Sequence, residues 1–455
     1  MSAAANPFDH FEYPPAEGGS GRHSAAGAHW AARAPQRPND RFDLKLLPRS
    51  PTWRDEAPAR DALARVEREP WVDRMANVDD GVEVRLADRW LEAAGAQLQE
   101  ADAGDERLAE LAHGQRFSVQ FCDVGASQAL HVGHLRNLAL GNALASLLVQ
   151  AGAQVERRSL ILDELSATSR ADVDRPLARE QTLQRLGIAF DRVFLACDYR
   201  GAAAELSARA LALGLQPLST HMSAVAYWLE APGLRNRTSV HICGEEWISQ
   251  VVATRELIAQ LTADGHPLAD DYRESHPTHD VFHGSVSMSE LGIASGEQSE
   301  LTIDELCEWI EAEIDADPRC ERALARFGSP RRIAAQVALG YTLVRPARER
   351  VNLFAEKLLR TRESPGWDLV SARARDGRAP SSGPPAHDPD YRFAVVQSEL
   401  HRQQLRLAVE RLDPGPLARH VVALARWYLR RDRSDAVARV VCAALDRGAR
   451  GLGLE

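Results

Sequence analysis

Two histidines that flank a valine and a glycine lie in the segment from Leu130 to Asn137, where their side chains could hold phosphate groups. The preceding run Arg116–Phe121 alternates polar and apolar residues as a strand does, and Leu138–Ala151 carries apolar residues at helical spacing. The histidines therefore lie at a strand-to-helix turn, where unpaired N–H groups and the positive end of the helix dipole favour an anion. This arrangement makes nucleotide chemistry the leading hypothesis.

His131, Gly133 and His134 each have a predicted role in that turn. Glycine has no Cβ, so it lets a phosphate or an adenine approach the backbone. The two imidazoles can donate hydrogen bonds to a phosphate whose negative charge grows in the transition state. Two histidines three residues apart also occur as plain surface residues or as half of a metal site, so the motif alone leaves these alternatives open.

The composition is that of an ordinary soluble protein with two or three domains. The chain has 455 residues, of which 44% are hydrophobic and 26% charged, and its formal net charge is −10. This acidic balance gives no overall field that would attract nucleic acid, although a local basic face remains open. Lys45 and Lys357 are the only lysines, so arginine supplies nearly all the positive charge.

The 6 cysteines have no paired spacing, which predicts neither a zinc site nor a disulfide framework. No secretion signal is visible, and no uninterrupted apolar run reaches about 18 residues. We therefore expect a cytoplasmic protein that has no membrane partner, and we expect it to be a monomer.

Changes in composition divide the chain into predicted domains. Residues 1–41, rich in Ala, Gly, Pro, Ser and His, are expected to be a disordered arm, and 42–112 a small α/β appendage. Strands alternate with amphipathic helices over 113–332, which predicts an α/β fold with a Rossmann-type parallel sheet and an insertion near 163–220. The remainder, 333–455, is predicted to be all-α.

The last predicted domain is rich in arginine. Gly, Pro and Ser cluster over 374–390, which predicts a flexible loop. Residues 392–450 carry twelve arginines against six acidic residues. This excess indicates either a solvated helical face or a surface that binds RNA phosphates, and the sequence leaves both interpretations open.

The segment from His131 to Val155 closely resembles the signature helix of arginyl-tRNA synthetases, class I enzymes that activate arginine with ATP. The resemblance includes both histidines and the following pattern Gly-x-Ala-Leu-Ala-x-Leu-Leu. It implies a truncated tRNA-contacting domain, a Rossmann-type catalytic core and a helical anticodon-binding-like bundle, in a diverged paralogue. Weaker similarities extend over most of the chain and lie at Val82–Trp90, Val225–Leu229, His241–Gln250, Leu301–Leu306 and Gly448–Leu454.

The resemblance also implies roles for particular residues. His131 and His134 are the implied catalytic residues, as hydrogen-bond donors and not as nucleophiles. ATP is expected as a substrate together with Mg²⁺, and no metal ligands of the protein itself are predicted. The implied ATP-binding residues are His131, Gly133, His134, Gly244 and Ser295. The implied amino-acid-binding residues are Gln120, Asp123, Gly125, Thr220, Ala224, Glu245 and Glu246.

One departure from the family pattern concerns positive charge. Class I synthetases carry a mobile loop whose lysines clamp the ATP phosphates, but the matching segment Gly292–Gly296 has no lysine. Some arginyl enzymes have a lysine shortly before the first histidine, and that position is Gln128 here. Losing one such charge costs on the order of 3 kcal/mol of transition-state stabilisation. Arg331 and Arg332 are candidate replacements.

A second departure concerns the amino-acid pocket, where the family recognises a guanidinium with an acid, an asparagine, a tyrosine and an aspartate. The matching positions here are Gln120, Gly125, Thr220 and Ala224. An unpaired buried guanidinium costs roughly 3 to 5 kcal/mol, so this pocket favours a neutral amino acid over arginine. Asp123, Glu245 and Glu246 are candidate replacement acids, although the two glutamates could instead contact a ribose or an α-amino group.

Three functions follow as alternatives. The first is an enzyme that forms an aminoacyl-adenylate and transfers the aminoacyl group to tRNA or to a small-molecule amine, and the retained histidines favour it. The second is a noncatalytic tRNA-binding or regulatory protein, which the lost lysines favour. The third is a genuine arginine–tRNA ligase with an unusual loop, against which the pocket substitutions argue.

Overall fold

The computed structural model describes most of the chain, in separate segments. The described residues are 30–35, 37–38, 40, 42–50, 52–99, 109–125, 129–162, 178–199, 201, 204–205, 208, 211–212, 237–263, 278–288, 301–354, 357–375, 387–430 and 433–455. Their strands are β1 (Trp30–Arg33), β2 (Leu44–Pro48), β3 (Val72–Val78), β4 (Gly81–Leu86), β5 (Arg116–Gln120), β6 (Val124–Gly125), β7 (Gln154–Leu162), β8 (Arg192–Leu195), β9 (Thr238–Gly244), β10 (Thr278–His283), β11 (Val286–Met288) and β12 (Val351–Leu353). Their principal helices are α1 (Ala57–Glu67), α2 (Asp88–Gln99), α3 (Val132–Gln150), α4 (Ala178–Leu186), α5 (Ile248–Ala263), α6 (Ile303–Ala316), α7 (Glu321–Phe327), α8 (Pro330–Leu343), α9 (Pro365–Arg373), α10 (Pro389–Arg411), α11 (Gly415–Leu429) and α12 (Asp435–Gly451).

The chain divides into two compact units. Unit 1 comprises Met1–Glu106, Arg375–Gln404 and Trp427–Arg447. Unit 2 comprises Arg107–Ala374, Leu405–Arg426 and Gly448–Glu455. The domain boundaries given above at residues 112 and 332 remain a prediction.

Unit 1 contains a four-stranded antiparallel sheet in the order β1-β2-β4-β3. The expected disordered arm is therefore wrong for Trp30–Arg33, which forms β1. Its Trp30 side chain is fully buried, packs edge to face on Trp53 and donates a hydrogen bond to the Ala59 carbonyl oxygen at 3.2 Å. These contacts come from residues far along the chain, so the local Ala- and Pro-rich composition does not reveal them.

Unit 2 contains a parallel sheet in which β5 pairs with both β7 and β9, β8 pairs with β7, and β10 pairs with β9. Across the sheet these five strands lie in the order β8-β7-β5-β9-β10. When the five are numbered 1 to 5 along the chain, this is the order 3-2-1-4-5 of doubly wound nucleotide-binding folds. In such sheets a ligand binds at the carboxyl ends of the strands where the order reverses, which here is between β5 and β9. The predicted α/β class with a parallel sheet is confirmed.

Two details of the predicted architecture are corrected in unit 2. Residues 178–199 are expected within an insertion, but β8 belongs to the sheet itself, since it is hydrogen-bonded to β7, and α4 packs on α8 and α6. The predicted all-α region includes β12, which pairs in parallel with β11. The predicted flexible loop at 374–390 lies mostly outside the described residues.

Helix α3 is apolar on nearly every side, because it packs against the strands on one side and against α8 on another. Gly141 lies where the helix meets the aromatic ring of Phe121, just after β5. A Cβ at position 141 would come within 2.2 Å of the Phe121 ring. Glycine at this point therefore lets α3 approach the sheet closely enough to set the position of its first turn.

Part of the arginine excess of residues 392–450 is structural. The Arg392 guanidinium, 3% exposed, pairs with Asp43 and Asp88 and donates to the Leu86 carbonyl oxygen within unit 1. Arginines of this stretch that bond to acidic groups or carbonyl oxygens within their own unit are Arg392, Arg402, Arg406, Arg426, Arg433 and Arg447. Carboxylates neutralise five of these six guanidinium groups, all but that of Arg447, and this reduces the attraction of the stretch for RNA.

Replacing Gly141 with alanine tests the close approach of α3. Alanine in a helix interior is ordinarily favourable by about 1 kcal/mol relative to glycine. Here the alanine Cβ would clash with Phe121, so the substitution should destabilise the protein instead. We expect Gly141→Ala to lower the free energy of unfolding by about 1 to 3 kcal/mol in urea denaturation. In a Phe121→Leu background the loss should shrink, and an equal loss in both backgrounds would contradict the proposed clash.

Candidate active site

The first turn of α3 is capped by two histidine side chains. His131 is the N-cap residue, and its Nδ1 accepts a hydrogen bond from the backbone N–H of Gly133 at 3.1 Å. The backbone N–H of His131 in turn donates to Nδ1 of His134 at 3.2 Å. The two rings lie against each other with their centroids 3.9 Å apart. The helix thus covers two of its own unpaired donors with imidazole nitrogens.

These hydrogen bonds fix the tautomer of both rings. A ring nitrogen that accepts a hydrogen bond carries no proton, so in neutral His131 and His134 the hydrogen lies on Nε2. Burial lowers the pKa of His134 to about 3, and the neighbouring His131 contributes in the same direction. His134 therefore presents a neutral N–H donor and not an imidazolium cation.

Gly133 makes room for the His131 ring. A Cβ at position 133 would lie 2.6 Å from Cε1 of His131 and 2.8 Å from its Nδ1. The space that the sequence analysis left for a ligand is thus taken up in part by this imidazole. The glycine is needed for the capping arrangement itself.

The segment before α6 is hydrogen-bonded to the histidine turn. The Val132 N–H donates to the Leu301 carbonyl oxygen at 3.0 Å, and the Ile303 N–H donates to the Leu130 carbonyl oxygen at 2.8 Å. His131 and Thr302 form the intervening antiparallel bridge. The helix predicted to follow the family's catalytic loop therefore begins beside the histidines, whereas Ser295 and the rest of that loop lie outside the described residues.

Asn137, one turn further along α3, joins three neighbouring strands. Its Oδ1 accepts from the Cys122 N–H at 2.7 Å, just beyond β5, where Cys122 has a φ of 63°. Its Nδ2 donates to the Ile242 carbonyl oxygen of β9 at 2.8 Å and contacts Nε2 of His283 at the end of β10 at 3.2 Å. Asn137 thereby holds the carboxyl ends of the strands against the helix.

His283 is neutral in this arrangement. Its Nδ1 donates to the Gly284 carbonyl oxygen at 3.1 Å, which leaves Nε2 as an acceptor for the Asn137 amide. Burial lowers the pKa of His283 to about 4. Asn137 and His283 are not evident as site residues from the sequence, although a polar residue on the buried side of an apolar helix is a signal for Asn137.

A buried polar row crosses the sheet at the ends of the strands. The strand register places Gln120, His241 and Asp280 side by side on β5, β9 and β10. Gln120 Nε2 donates to Asp123 Oδ2 at 2.7 Å, and the same carboxylate oxygen lies 3.4 Å from His241 Nε2. On the other side of the ring, His241 Nδ1 lies 3.8 Å from Asp280 Oδ1. The structure thus brings together two predicted amino-acid-binding residues, Gln120 and Asp123.

The charges of this polar row are mostly used within the protein. Asp123 Oδ1 accepts from the Leu160 N–H at 3.0 Å, so both carboxylate oxygens have protein partners. Asp280 is paired with Arg255 of α5. By contrast, Gln120 is fully buried and its Oε1 has no hydrogen-bond partner among the described residues. His241 and Asp280 were missed from sequence, although a histidine inside an apolar strand is a usable signal.

The other predicted site residues lie further along the same edge of the sheet or outside the described segments. Glu245 and Glu246 form one turn after β9, with the Glu246 carboxylate over Gly244 and Glu245 Oε1 at 3.7 Å from Arg350 Nε. Gly125 pairs with Leu162 in the register of β6 and β7. No contact found among the described residues joins the two glutamates to Gln120 or Asp123. Thr220 and Ala224 lie outside the described residues.

Two kinds of feature are absent from the described residues. None of their helices is long and apolar enough to cross a membrane. No group of three or more His, Cys, Asp or Glu side chains in these segments is arranged to hold a metal ion.

Replacing Asn137 with aspartate should make stability depend on the charge of His283. The new carboxylate would face the Ile242 carbonyl oxygen and the lone pair of His283 Nε2, so Asn137→Asp should destabilise the protein near pH 8. As the pH falls, a protonated His283 can donate to the carboxylate. The difference in the free energy of unfolding between the wild type and Asn137→Asp should therefore become smaller. Asn137→Ala is the control, since its deficit in the free energy of unfolding should narrow much less without a new carboxylate, and urea denaturation at several pH values measures both.

The lowered pKa values of His134 and His283 predict how the free energy of unfolding of the wild type changes with pH. Their pKa values of about 3 and about 4 lie below the value near 6.5 of an unfolded chain. The unfolded state therefore binds protons first, and the free energy of unfolding should fall as the pH drops from about 6.5 toward 4. His134→Asn keeps an acceptor for the His131 N–H but cannot titrate, so its curve should fall less steeply. Parallel curves would contradict the assignment.

Comparison with known proteins relates this chain to one family of synthetases. No protein-family model matches the sequence. The arginine–tRNA ligase of Paracoccus denitrificans is 36% identical over 78 residues, and that of Heliobacterium modesticaldum is 30% identical over 106 residues. These matches cover 17% and 23% of this chain, and they span only 13% and 19% of the length of the two relatives.

Solved structures show the shared fold over nearly the whole chain. The Thermus thermophilus arginyl-tRNA synthetase superposes with a TM-score of 0.62 at 16% identity, covering 93% of this chain and 95% of that one. The Plasmodium falciparum arginyl-tRNA synthetase gives 0.60 at 8% identity and covers 93% of both chains. A structure titled as a putative arginyl-tRNA synthetase from Campylobacter jejuni gives 0.54 at 11% identity, covering 80% of this chain and 98% of that one. The fold and the local sequence similarity thus confirm the resemblance to arginyl-tRNA synthetases that the histidine motif indicates.

Proposed function

We propose that the protein activates an amino acid with ATP, forming an aminoacyl-adenylate and pyrophosphate. The observation that carries this proposal is the pair of imidazoles at the start of α3, each of which accepts a backbone N–H on Nδ1 and so has Nε2 available as a donor. They lie at the end of the sheet where the strand order reverses, the place where doubly wound folds bind nucleotides. The similarity to arginine–tRNA ligases supports the same chemistry.

In the proposed reaction a carboxylate oxygen of the amino acid attacks the α-phosphorus of ATP. The bond from this phosphorus to the oxygen bridging the α- and β-phosphates breaks, and pyrophosphate leaves with that electron pair. Negative charge grows on phosphate oxygens during the step, and hydrogen bonds from His131 and His134 would stabilise it. The step needs no proton from the protein, which suits histidines that stay neutral. Mg²⁺ would enter with the ATP phosphates.

The polar row supports an amino acid other than arginine. Gln120 stands where the family has an acid, and the nearest carboxylate, Asp123, already accepts from Gln120 and from the Leu160 N–H. A guanidinium entering there would compete for a carboxylate whose oxygens are occupied, and would leave buried donors unpaired. The free Gln120 Oε1 would instead accept a hydrogen bond from a neutral substrate, or from its α-amino group. Glu245 and Glu246, after β9, would contact the ribose or the α-amino group.

The aminoacyl acceptor would be tRNA or a small-molecule amine. Residues 333–455, the predicted anticodon-binding-like domain, would make the tRNA contacts. Much of its arginine excess is paired within the protein, and this favours a weaker electrostatic attraction for RNA than the sequence alone predicts. A small acceptor therefore remains part of the proposal.

A second candidate function is a noncatalytic tRNA-binding or regulatory protein on the synthetase scaffold. It is favoured by the missing lysines, since Gln128 and the segment Gly292–Gly296 supply no positive charge. A genuine arginine–tRNA ligase is the third candidate, and it is favoured by the relatives' names.

Amino-acid-dependent exchange of labelled pyrophosphate into ATP separates these candidates. The assay is run with each of the twenty amino acids, with and without bulk tRNA. We expect exchange with one or a few neutral amino acids. A response to arginine alone would show the pocket argument to be wrong, and silence in every condition would favour the noncatalytic function.

Variants of His134 test the donor role directly. His134→Ala and His134→Asn both lack a donor at the Nε2 position, and each should lower the exchange rate at least about tenfold. His134→Gln places an amide N–H near that position and should retain more activity than either. If all three variants exchange at the wild-type rate, the histidines are only structural caps.

A further inference from the structure

A cavity of about 320 Å³ lies in unit 2 beside the N-terminus of α8. Two of the residues that line it, Arg331 and Arg332, belong to the first turn of that helix. Ser329, which precedes the helix, and Gln336, one turn further along, also line it. None of the cavity's lining residues belongs to the histidine turn or to the polar row, so this is a separate site.

The two helix arginines give the cavity a net positive charge. Arg331 and Arg332 are both exposed, and neither guanidinium has an ion pair with any described residue. Arg185, the third arginine of the lining, differs because it is neutralised by acidic side chains of α6. The acidic group that opposes them in the lining is Glu455, whose Oε1 lies 3.9 Å from Arg450 Nε.

The backbone adds donors to the same place. Ser329 occupies the N-cap position of α8, yet its side chain makes no capping hydrogen bond. The first-turn N–H groups of this 14-residue helix are therefore not covered by the residue that would ordinarily cap them. These groups and the helix dipole favour an anion at this end.

Gln336 is an independent sign that a ligand belongs in the cavity. Its side chain is 3% exposed, and its Oε1 accepts a hydrogen bond from Arg373 at 3.2 Å, which fixes the orientation of the amide. The Nε2 that remains has no hydrogen-bond partner among the described residues. A buried amide donor left without an acceptor is costly, and an oxyanion in the cavity would supply the acceptor.

We propose that this cavity binds the phosphate group of a phosphorylated organic molecule. Every side chain that we assign to the site donates, and guanidinium groups at a helix N-terminus match phosphate geometry and charge. A cavity of this volume leaves room for an organic group next to the phosphate. The phosphate could belong to a free metabolite or to an RNA strand. This site goes beyond the proposed amino-acid activation and does not depend on it.

Calorimetric titration with ribose 5-phosphate at low ionic strength tests the proposal. We expect saturable binding that inorganic phosphate competes away, and no binding of unphosphorylated ribose. Arg331→Gln/Arg332→Gln should weaken the affinity at least about tenfold, because the charged hydrogen bonds of both guanidinium groups to the phosphate are lost. The matched control Arg322→Gln/Arg326→Gln removes the same charge from neighbouring α7, outside the cavity, and should change the affinity less than about twofold.

Two single substitutions sharpen the test. Gln336→Glu keeps the shape of the side chain and an acceptor for Arg373 but replaces the free donor with negative charge, so binding should be lost. Glu455→Gln removes the opposing carboxylate and should tighten binding. Thermal unfolding of each variant checks that the fold is retained.

The outcomes separate this site from the proposed active site. Binding of ribose 5-phosphate should persist in His134→Ala, whatever that variant does to pyrophosphate exchange. Bulk tRNA that competes with ribose 5-phosphate, and loses affinity in Arg331→Gln/Arg332→Gln, would identify RNA as the source of the phosphate, whereas failure to compete would indicate a free metabolite. No saturable binding up to about 10 mM, or equal affinity in the wild type and the double arginine variant, would overturn the proposal.

Discussion

The candidate active site depends on how the first turn of α3 satisfies its backbone donors. Two N–H groups at a helix start need acceptors, and Nδ1 of His131 and of His134 supply them. Because each Nδ1 is an acceptor, each ring places its hydrogen on Nε2, and burial keeps His134 neutral. The capping of backbone N–H groups at the helix start thereby determines which ring nitrogen can donate a hydrogen bond to a phosphate.

The rest of unit 2 holds that turn in place. Gly141 lets α3 lie close to Phe121, and Asn137 connects the helix to the ends of three strands. The antiparallel bridge between His131 and Thr302 adds the start of α6. Packing, side-chain hydrogen bonds and backbone pairing therefore converge on the same few residues, as expected of a site that must keep a fixed geometry.

Charge is distributed differently from what the composition implies. The arginine-rich C-terminal helices place many guanidinium groups against acidic residues or carbonyl oxygens, whereas Arg331 and Arg332 have no such partners among the described residues. In the polar row the carboxylates of Asp123 and Asp280 are likewise engaged by the protein. The number of charged residues in a segment thus says little about what is available to a ligand, because pairing decides it.

The sequence by itself determined the strand-to-helix turn at His131 and the alternation that gives a parallel α/β sheet, since both depend on residues close together in the chain. The tertiary structure alone decided that Trp30–Arg33 is a strand, that Gln120, His241 and Asp280 form one row, and that Gln336 lines a cavity with Glu455. These arrangements join residues that lie far apart in sequence. Local periodicity carries no information on such pairings, because they are fixed by strand register and by the packing of distant side chains.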